Sequence, residues 1–162
     1  MIQKKVCLVG APAVGKTSLV RRFVEGQFSD AYLTTIGVSI SRRIVEADPP
    51  VSLVLWDING DDAFSPVRPS YLRGASGLLL VADGTRPTTL DRALALHADL
   101  QAAQGETPAV LALNKRDLDR DWAVPETRLD ALRAEGWTVF ETSAKNGDAV
   151  EAAFETLAAR AT

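Results

Sequence analysis

The sequence predicts an α/β fold of three layers: a six-stranded, mainly parallel sheet with one antiparallel hairpin at its edge and helices on both faces. Strand-like apolar runs alternate with helix-like segments along the whole chain. Only one pair of runs is joined by a turn too short to hold a helix. No internal repeat, low-complexity tract or Gly/Ser linker interrupts the alternation. With 162 residues, 46% of them hydrophobic, the chain has the length of one core-forming domain, so residues 1–162 are expected to form a single unit.

The first strand is expected near Lys4 to Val9, where Val6 to Val9 is wholly apolar, and a helix from Gly15 to Glu25. Strands near Gly37 to Glu46 and Val51 to Asp57 are separated only by Asp48-Pro49-Pro50, a turn sequence, and should pair as the antiparallel hairpin. A helix at about Ala63 to Arg73 precedes a strand at Gly77 to Asp83. The helix Thr88 to Ala103, the strand Ala109 to Asn114, the helix Pro125 to Ala134, the strand Thr138 to Glu141 and the helix Asp148 to Ala159 complete the series.

The bulk properties exclude several functions. The net charge is −3, and the Lys-Arg pairs Lys4-Lys5 and Arg42-Arg43 are too short to be polybasic tracts, so no nucleic-acid partner is expected. Cys7 is the single cysteine and lies in an apolar run; it reads as a buried thiol, with no internal disulfide to form. No apolar run approaches the roughly 18 residues that span a bilayer. The stretch Leu157 to Thr162 offers neither a cysteine to prenylate nor a basic run, so a cytoplasmic protein without a direct membrane anchor is expected. High Ala content and Arg in preference to Lys fit a GC-rich, bacterial genome.

Between the first strand and its helix, Gly10-Ala11-Pro12-Ala13-Val14-Gly15-Lys16-Thr17 fits the phosphate-loop pattern G-x-x-x-x-G-K-[ST]. In such a loop, backbone N–H groups turn inward around phosphates and the helix N-terminus adds partial positive charge. Ala13, Val14, Gly15, Lys16, Thr17 and Ser18 are the candidate phosphate-binding residues, with Lys16 reaching the β and γ oxygens and Thr17 ligating magnesium. Pro12 brings no N–H to this loop and stiffens it.

Asn114-Lys115-Arg116-Asp117 follows the strand run Val110 to Leu113, at the carboxyl edge of the sheet where α/β proteins bind ligands. A carboxylate at Asp117 can accept from both N1–H and the exocyclic amine of guanine, whereas adenine offers an acceptor at N1. Thr142-Ser143-Ala144-Lys145 would form the other half of the pocket, with an Ala144 N–H toward the guanine carbonyl and the stems of Lys115 and Lys145 covering the ring.

With these motifs together, the chain resembles a Ras-superfamily small GTPase from about Lys4 to Leu157, nearest the Rab-like branch. The Rab-like stretches are Thr35-Ile36-Gly37-Val38, Leu55-Trp56-Asp57 with Gly60, and Tyr71-Leu72-Arg73-Gly74-Ala75 followed by Gly77. The resemblance implies a phosphate-loop G domain that binds GTP or GDP with Mg2+. It implies that Thr35 closes over the γ-phosphate and magnesium, Asp57 holds magnesium through water, Gly60 offers its N–H to the γ-phosphate, and Phe28 packs edge-on against guanine. Tyr32 either lies across the phosphates or is an exposed loop residue. Residues 29–40 and 58–73 are the implied switch surfaces for effectors, an activating protein and an exchange factor.

The chain also departs from that pattern. Where the family usually reads x-Ala-Gly-Gln-Glu after the magnesium aspartate, this chain reads Ile58-Asn59-Gly60-Asp61-Asp62. The expected catalytic set is therefore Lys16, Thr35, Gly60 and Asp61, the last of which adds repulsion beside a polyphosphate. Slow intrinsic hydrolysis is expected, unless Asp61 or Asp62 orients water or a partner supplies the missing groups in trans. Three readings remain: a slow GTPase switch, a GTP-binding interaction module with negligible hydrolysis, and an ATP-using phosphate-loop enzyme, which the guanine motifs disfavour. His97, Trp122 and Trp137 read as packing or surface residues.

Overall fold

A computed structural model of the chain describes residues 1–28, 38–59 and 69–161. In order, the elements are β1 (Ile2–Val9), α1 (Lys16–Glu25), β2 (Val38–Val45), β3 (Val51–Ile58), α2 (Pro69–Leu72), β4 (Gly77–Asp83), α3 (Pro87–Gln104), β5 (Ala109–Asn114), α4 (Glu126–Ala134), β6 (Val139–Glu141) and α5 (Val150–Arg160). The strands form one sheet in the order β2-β3-β1-β4-β5-β6. All neighbours are parallel except β2 and β3, which pair antiparallel from Val38↔Ile58 to Val45↔Val51. The expected fold class and edge hairpin are therefore present.

The central strands have apolar residues on both faces, as a helix-covered parallel sheet requires. In β1, Val6 and Leu8 enter a core shared with Leu19 and Phe23 of α1 and Phe154 and Leu157 of α5. Cys7 and Val9, one residue out of phase, enter the opposite core with Leu90 of α3 and Leu129 of α4. Cys7 is fully buried, and burial pushes its thiol up to about 12, so it stays protonated packing material. Phe23 and Phe154 stack with centroids 4.2 Å apart and join α1 to α5. His97 is half-buried, edge-on to Trp137 at 4.7 Å.

Boundaries differ from the expected ones for local reasons. β1 starts at Ile2 because β3 offers partners down to Val51. α5 starts at Val150, two residues late, because Gly147 and Ala149 take positive φ values of 89° and 58°. α3 extends from Pro87, a proline in the first turn where its missing N–H costs nothing, to Gln104, where the Gly105 N–H caps Gln101 O at 2.9 Å. The described part of the helix expected at Ala63 to Arg73 is α2. Among the described residues, no helix is long and apolar enough to cross a membrane.

Candidate functional site

The site lies at the carboxyl ends of the parallel strands, where the loops after β1, β4, β5 and β6 meet. β1 and β4 are adjacent, as are β4 and β5, so topology alone brings the Gly10–Thr17 loop near the Asn114–Asp117 loop. Side chains then join them. The Asn114 amide donates to Val14 O at 3.0 Å, and Lys115 Nζ donates to Ala13 O at 2.9 Å. Gly15, at φ +103°, faces this contact so closely that an added Cβ would stand 2.3 Å from Asn114 Nδ2.

Lys16 is the buried cation of the phosphate loop, 7% exposed, and folds back so that Nζ donates to Gly10 O at 2.9 Å and Ala11 O at 3.1 Å. That places its charge inside the loop at the start of α1. Thr17, one residue on, donates its hydroxyl to Asp57 Oδ2 at 2.5 Å, and Asp57, next to last in β3, is 2% exposed. A hydroxyl and a carboxylate so close, both hard oxygen groups, fit magnesium, which binds proteins through one or two such oxygens and keeps waters. No group of three or more His, Cys, Asp or Glu side chains that could hold a metal occurs among the described residues. Ser18 is half-buried on α1.

The base side is equally ordered. Asn114 is 2% exposed; its Oδ1 accepts from the Thr142 hydroxyl at 3.1 Å and the Ala144 N–H at 3.3 Å. The Ala144 N–H, expected to face a guanine carbonyl, is thus engaged by Asn114, though through a long bond. Ser143 donates to Asp117 Oδ1 at 2.7 Å and fixes that carboxylate, while its own hydroxyl accepts the Asn146 N–H at 3.2 Å. Lys115 does not extend freely over a base: its ammonium is anchored 3.0 Å from Asp83 Oδ2. Lys145 is exposed, and Phe28 packs half-buried against the α1/α5 core. Tyr32, Thr35, Gly60 and Asp61 lie outside the described residues, as does most of both expected switch surfaces.

Three functional-looking contacts have no counterpart in the motif reading. Asp83, 1% exposed at the end of β4, accepts from the Thr85 N–H at 2.9 Å, the Thr85 hydroxyl at 2.7 Å, Arg86 Nε at 3.0 Å and Lys115. Burial alone would raise its pKa, but the Thr85, Lys115 and Arg86 bonds outweigh it and hold the carboxyl below its ordinary 3.8. Arg22 of α1 braces the second base loop from behind, donating to Ala144 O at 2.8 Å, Lys145 O at 2.5 Å and, past the helix end, Gly26 O at 3.1 Å. Trp122 packs on Gly84, where a Cβ would stand 2.0 Å from its ring, and Arg116 covers it at 4.6 Å. An aspartate closing an apolar strand and followed by Gly-Thr is the one sequence signal that could have pointed to this cluster.

Comparison with known proteins relates the chain to one family. The model of the Ras family matches residues 5–162. The Ras-related protein RAB1BV of Beta vulgaris is 36% identical over 158 residues, covering 95% of this chain and 74% of that protein. Ras-related protein Rab-7L1 of Homo sapiens is 36% identical over 164 residues, covering 94% and 79% respectively. Ras-related protein Rab-13 of Bos taurus is 34% identical over 157 residues, covering 95% and 77%.

Proposed function

This chain belongs to the Ras family, with Rab-like relatives, and is therefore a guanine-nucleotide-binding GTPase of the switch type; on that premise we propose that it binds GTP or GDP with one Mg2+ and hydrolyses GTP slowly. The observation that carries the reading is the tie between the two loops: Asn114 and Lys115 of the base motif hold the Val14 and Ala13 carbonyls of the phosphate motif. A ligand with a purine at one end and phosphates at the other would span these loops.

The proposed roles follow from the groups present. Ala13 to Ser18 supply N–H groups at the start of α1, and Lys16 brings a buried cation that would move from Gly10 O and Ala11 O to phosphate oxygens. Thr17 and Asp57 would hold magnesium, which neutralises phosphate charge when bound. Asp117, oriented by Ser143, would accept from guanine, with Ala144 N–H, Phe28, Lys115 and Lys145 completing the pocket. Thr35, Gly60 and, by the family pattern, Tyr32 would respond to the γ-phosphate, so that effectors, an activating protein and an exchange factor read residues 29–40 and 58–73 in the cytoplasm.

Asp61 favours a second reading. A carboxylate in place of the family glutamine carries negative charge to a site where phosphoryl transfer needs positive charge or neutral donors. If hydrolysis is negligible, GTP serves to hold a docking surface in one shape. Single-turnover hydrolysis of GTP by nucleotide-exchanged protein with magnesium, wild type against Asp61→Gln, separates the two. Measurable wild-type turnover that Asp61→Gln accelerates supports the slow switch. GTP bound tightly and left intact over hours favours the interaction module. A wild type as fast as Asp61→Gln would overturn the role given to Asp61.

A further inference from the structure

Three consecutive peptides of the phosphate loop are each held by a side chain at the carbonyl oxygen. Asn114 Nδ2 holds Val14 O at 3.0 Å, Lys115 Nζ holds Ala13 O at 2.9 Å, and Arg86 Nη2 holds Pro12 O at 3.1 Å. A trans peptide points its C=O and its N–H in opposite directions. Holding a carbonyl therefore aims the next residue's N–H the other way. These three tethers set the donors of Gly15, Val14 and Ala13 in turn.

The third tether is anchored as firmly as the second. Asp83, 1% exposed, receives Arg86 Nε at 3.0 Å and Lys115 Nζ at 3.0 Å on the same Oδ2 oxygen, so one buried carboxylate fixes both cations that hold the top of the loop. The segment they hold is under conformational load. Ala13 has a φ of 62°, a left-handed conformation that a residue with a Cβ keeps only when its surroundings impose it. Pro12, just before it, has no N–H, so Ala13 carries the first backbone donor at this point of the loop.

We propose that Arg86 is a positioning residue of the phosphate site: by holding the Pro12 carbonyl it aims the Ala13 N–H at the polyphosphate, making good use of the one donor left at the proline. The inference rests on the guanine-nucleotide reading and adds a residue that none of the motifs contains. Arg86 acts through the Pro12–Ala13 peptide and need not touch the ligand. Its planar fork suits the task, since Nε serves Asp83 while Nη2 serves Pro12.

The test compares wild type, Arg86→Ala and Arg86→Lys, each loaded with GDP and magnesium, by nucleotide release, by 31P NMR of the bound nucleotide, and by affinity for GDP, GMP and IDP. Loss of one charge-assisted bond should speed GDP release about ten-fold in Arg86→Ala. Its bound 31P resonances should shift, GDP should weaken more than GMP, and the preference for GDP over IDP should persist. Arg86→Lys, which keeps the charge but lacks the planar fork that reaches Asp83 and Pro12 together, should recover part of the loss. Wild-type release and unshifted resonances in Arg86→Ala would overturn the role of Arg86 alone. So would an equal weakening of GDP and GMP, the mark of a general structural defect. Absence of GDP binding in the wild type would overturn the guanine-nucleotide reading itself and the inference with it.

Discussion

Asn114 occupies the space a side chain at Gly15 would need: its amide nitrogen stands 2.3 Å from the position of a Gly15 Cβ while donating to Val14 O at 3.0 Å. The two motifs are thus fitted to each other at one glycine. Gly15→Ala must both adopt φ +103°, which costs a residue with a Cβ about 1–2 kcal/mol, and push Asn114 off its acceptor. GDP affinity should fall by more than about ten-fold, since one lost bond already accounts for roughly that factor. Fluorescence titration would show it. Unchanged affinity would mean that the loops are not coupled through this contact.

Away from the site, the stacked pair Phe23 and Phe154 supports α1, the helix that carries Lys16 and Thr17. Both rings are buried, 3% and 1% exposed, with centroids 4.2 Å apart. Phe154→Ala should cost about 3–5 kcal/mol by leaving a cavity between α1 and α5. Urea denaturation with an unchanged slope is the measurement. A loss below about 1 kcal/mol would show that the helices close over the gap.

The fold was legible because its signals are local. Val6 to Val9 is apolar at every position, Asp48-Pro49-Pro50 leaves no room for a crossover, and Gly10–Thr17 is contiguous between a strand and a helix. The meeting of the two loops followed from strand order in a parallel sheet. The Asp83 cluster was not legible, because Pro12, Arg86 and Lys115 are far apart in sequence: Pro12 and Lys115 belong to separate motifs, and Asp83 and Arg86 to neither. Arg22 on α1 likewise looks like a solvated charge until α1 and the loop after β6 are placed side by side. The start of α5 was missed because Asp148 resembles a helix-capping residue, while positive φ at Ala149 delays the first turn.

Asp83 should make stability depend on acid pH. Its carboxyl lies below 3.8 in the folded protein, because the Thr85, Lys115 and Arg86 bonds overcome the upward push of burial. A lowered folded pKa contributes stability that is present above the unfolded value and is lost as pH falls through the folded one. Asp83→Asn should therefore cost about 2 kcal/mol at pH 7, the scale of hydrogen bonds to a charged group. The wild-type and variant denaturation midpoints should converge below about pH 3.8. A gap that stays constant across that range would remove the carboxylate charge from the explanation.

Thr17 and Asp57, in contact at 2.5 Å, predict how metal removal should act. If both serve one magnesium ion, chelation by EDTA should speed GDP release strongly from the wild type. Thr17→Ala would then remove a direct oxygen ligand, so its release should already be fast with magnesium present and respond little to EDTA. The magnesium concentration needed for half-maximal retention should rise about ten-fold or more, the scale seen when a group close to a bound metal is lost. Equal responses to EDTA would place the ion elsewhere.

The proposed base preference would turn on Asp117, whose Oδ1 is held by the Ser143 hydroxyl at 2.7 Å. A carboxylate accepts from both donors on the guanine edge; an asparagine amide presents one acceptor and one donor, and its NH2 would meet a guanine donor head-on. Asp117→Asn should weaken GTP by about a hundred-fold or more, since a buried polar mismatch is penalised beyond the lost bond itself. Inosine triphosphate lacks the exocyclic amine, so it should bind the wild type more weakly than GTP and lose less on mutation. Competition titrations with GTP, ITP and ATP on both proteins read all of this at once. An Asp117→Asn protein that keeps its GTP preference would take the Asn114–Asp117 loop out of base recognition, leaving the phosphate loop as the sole nucleotide contact argued from the described residues.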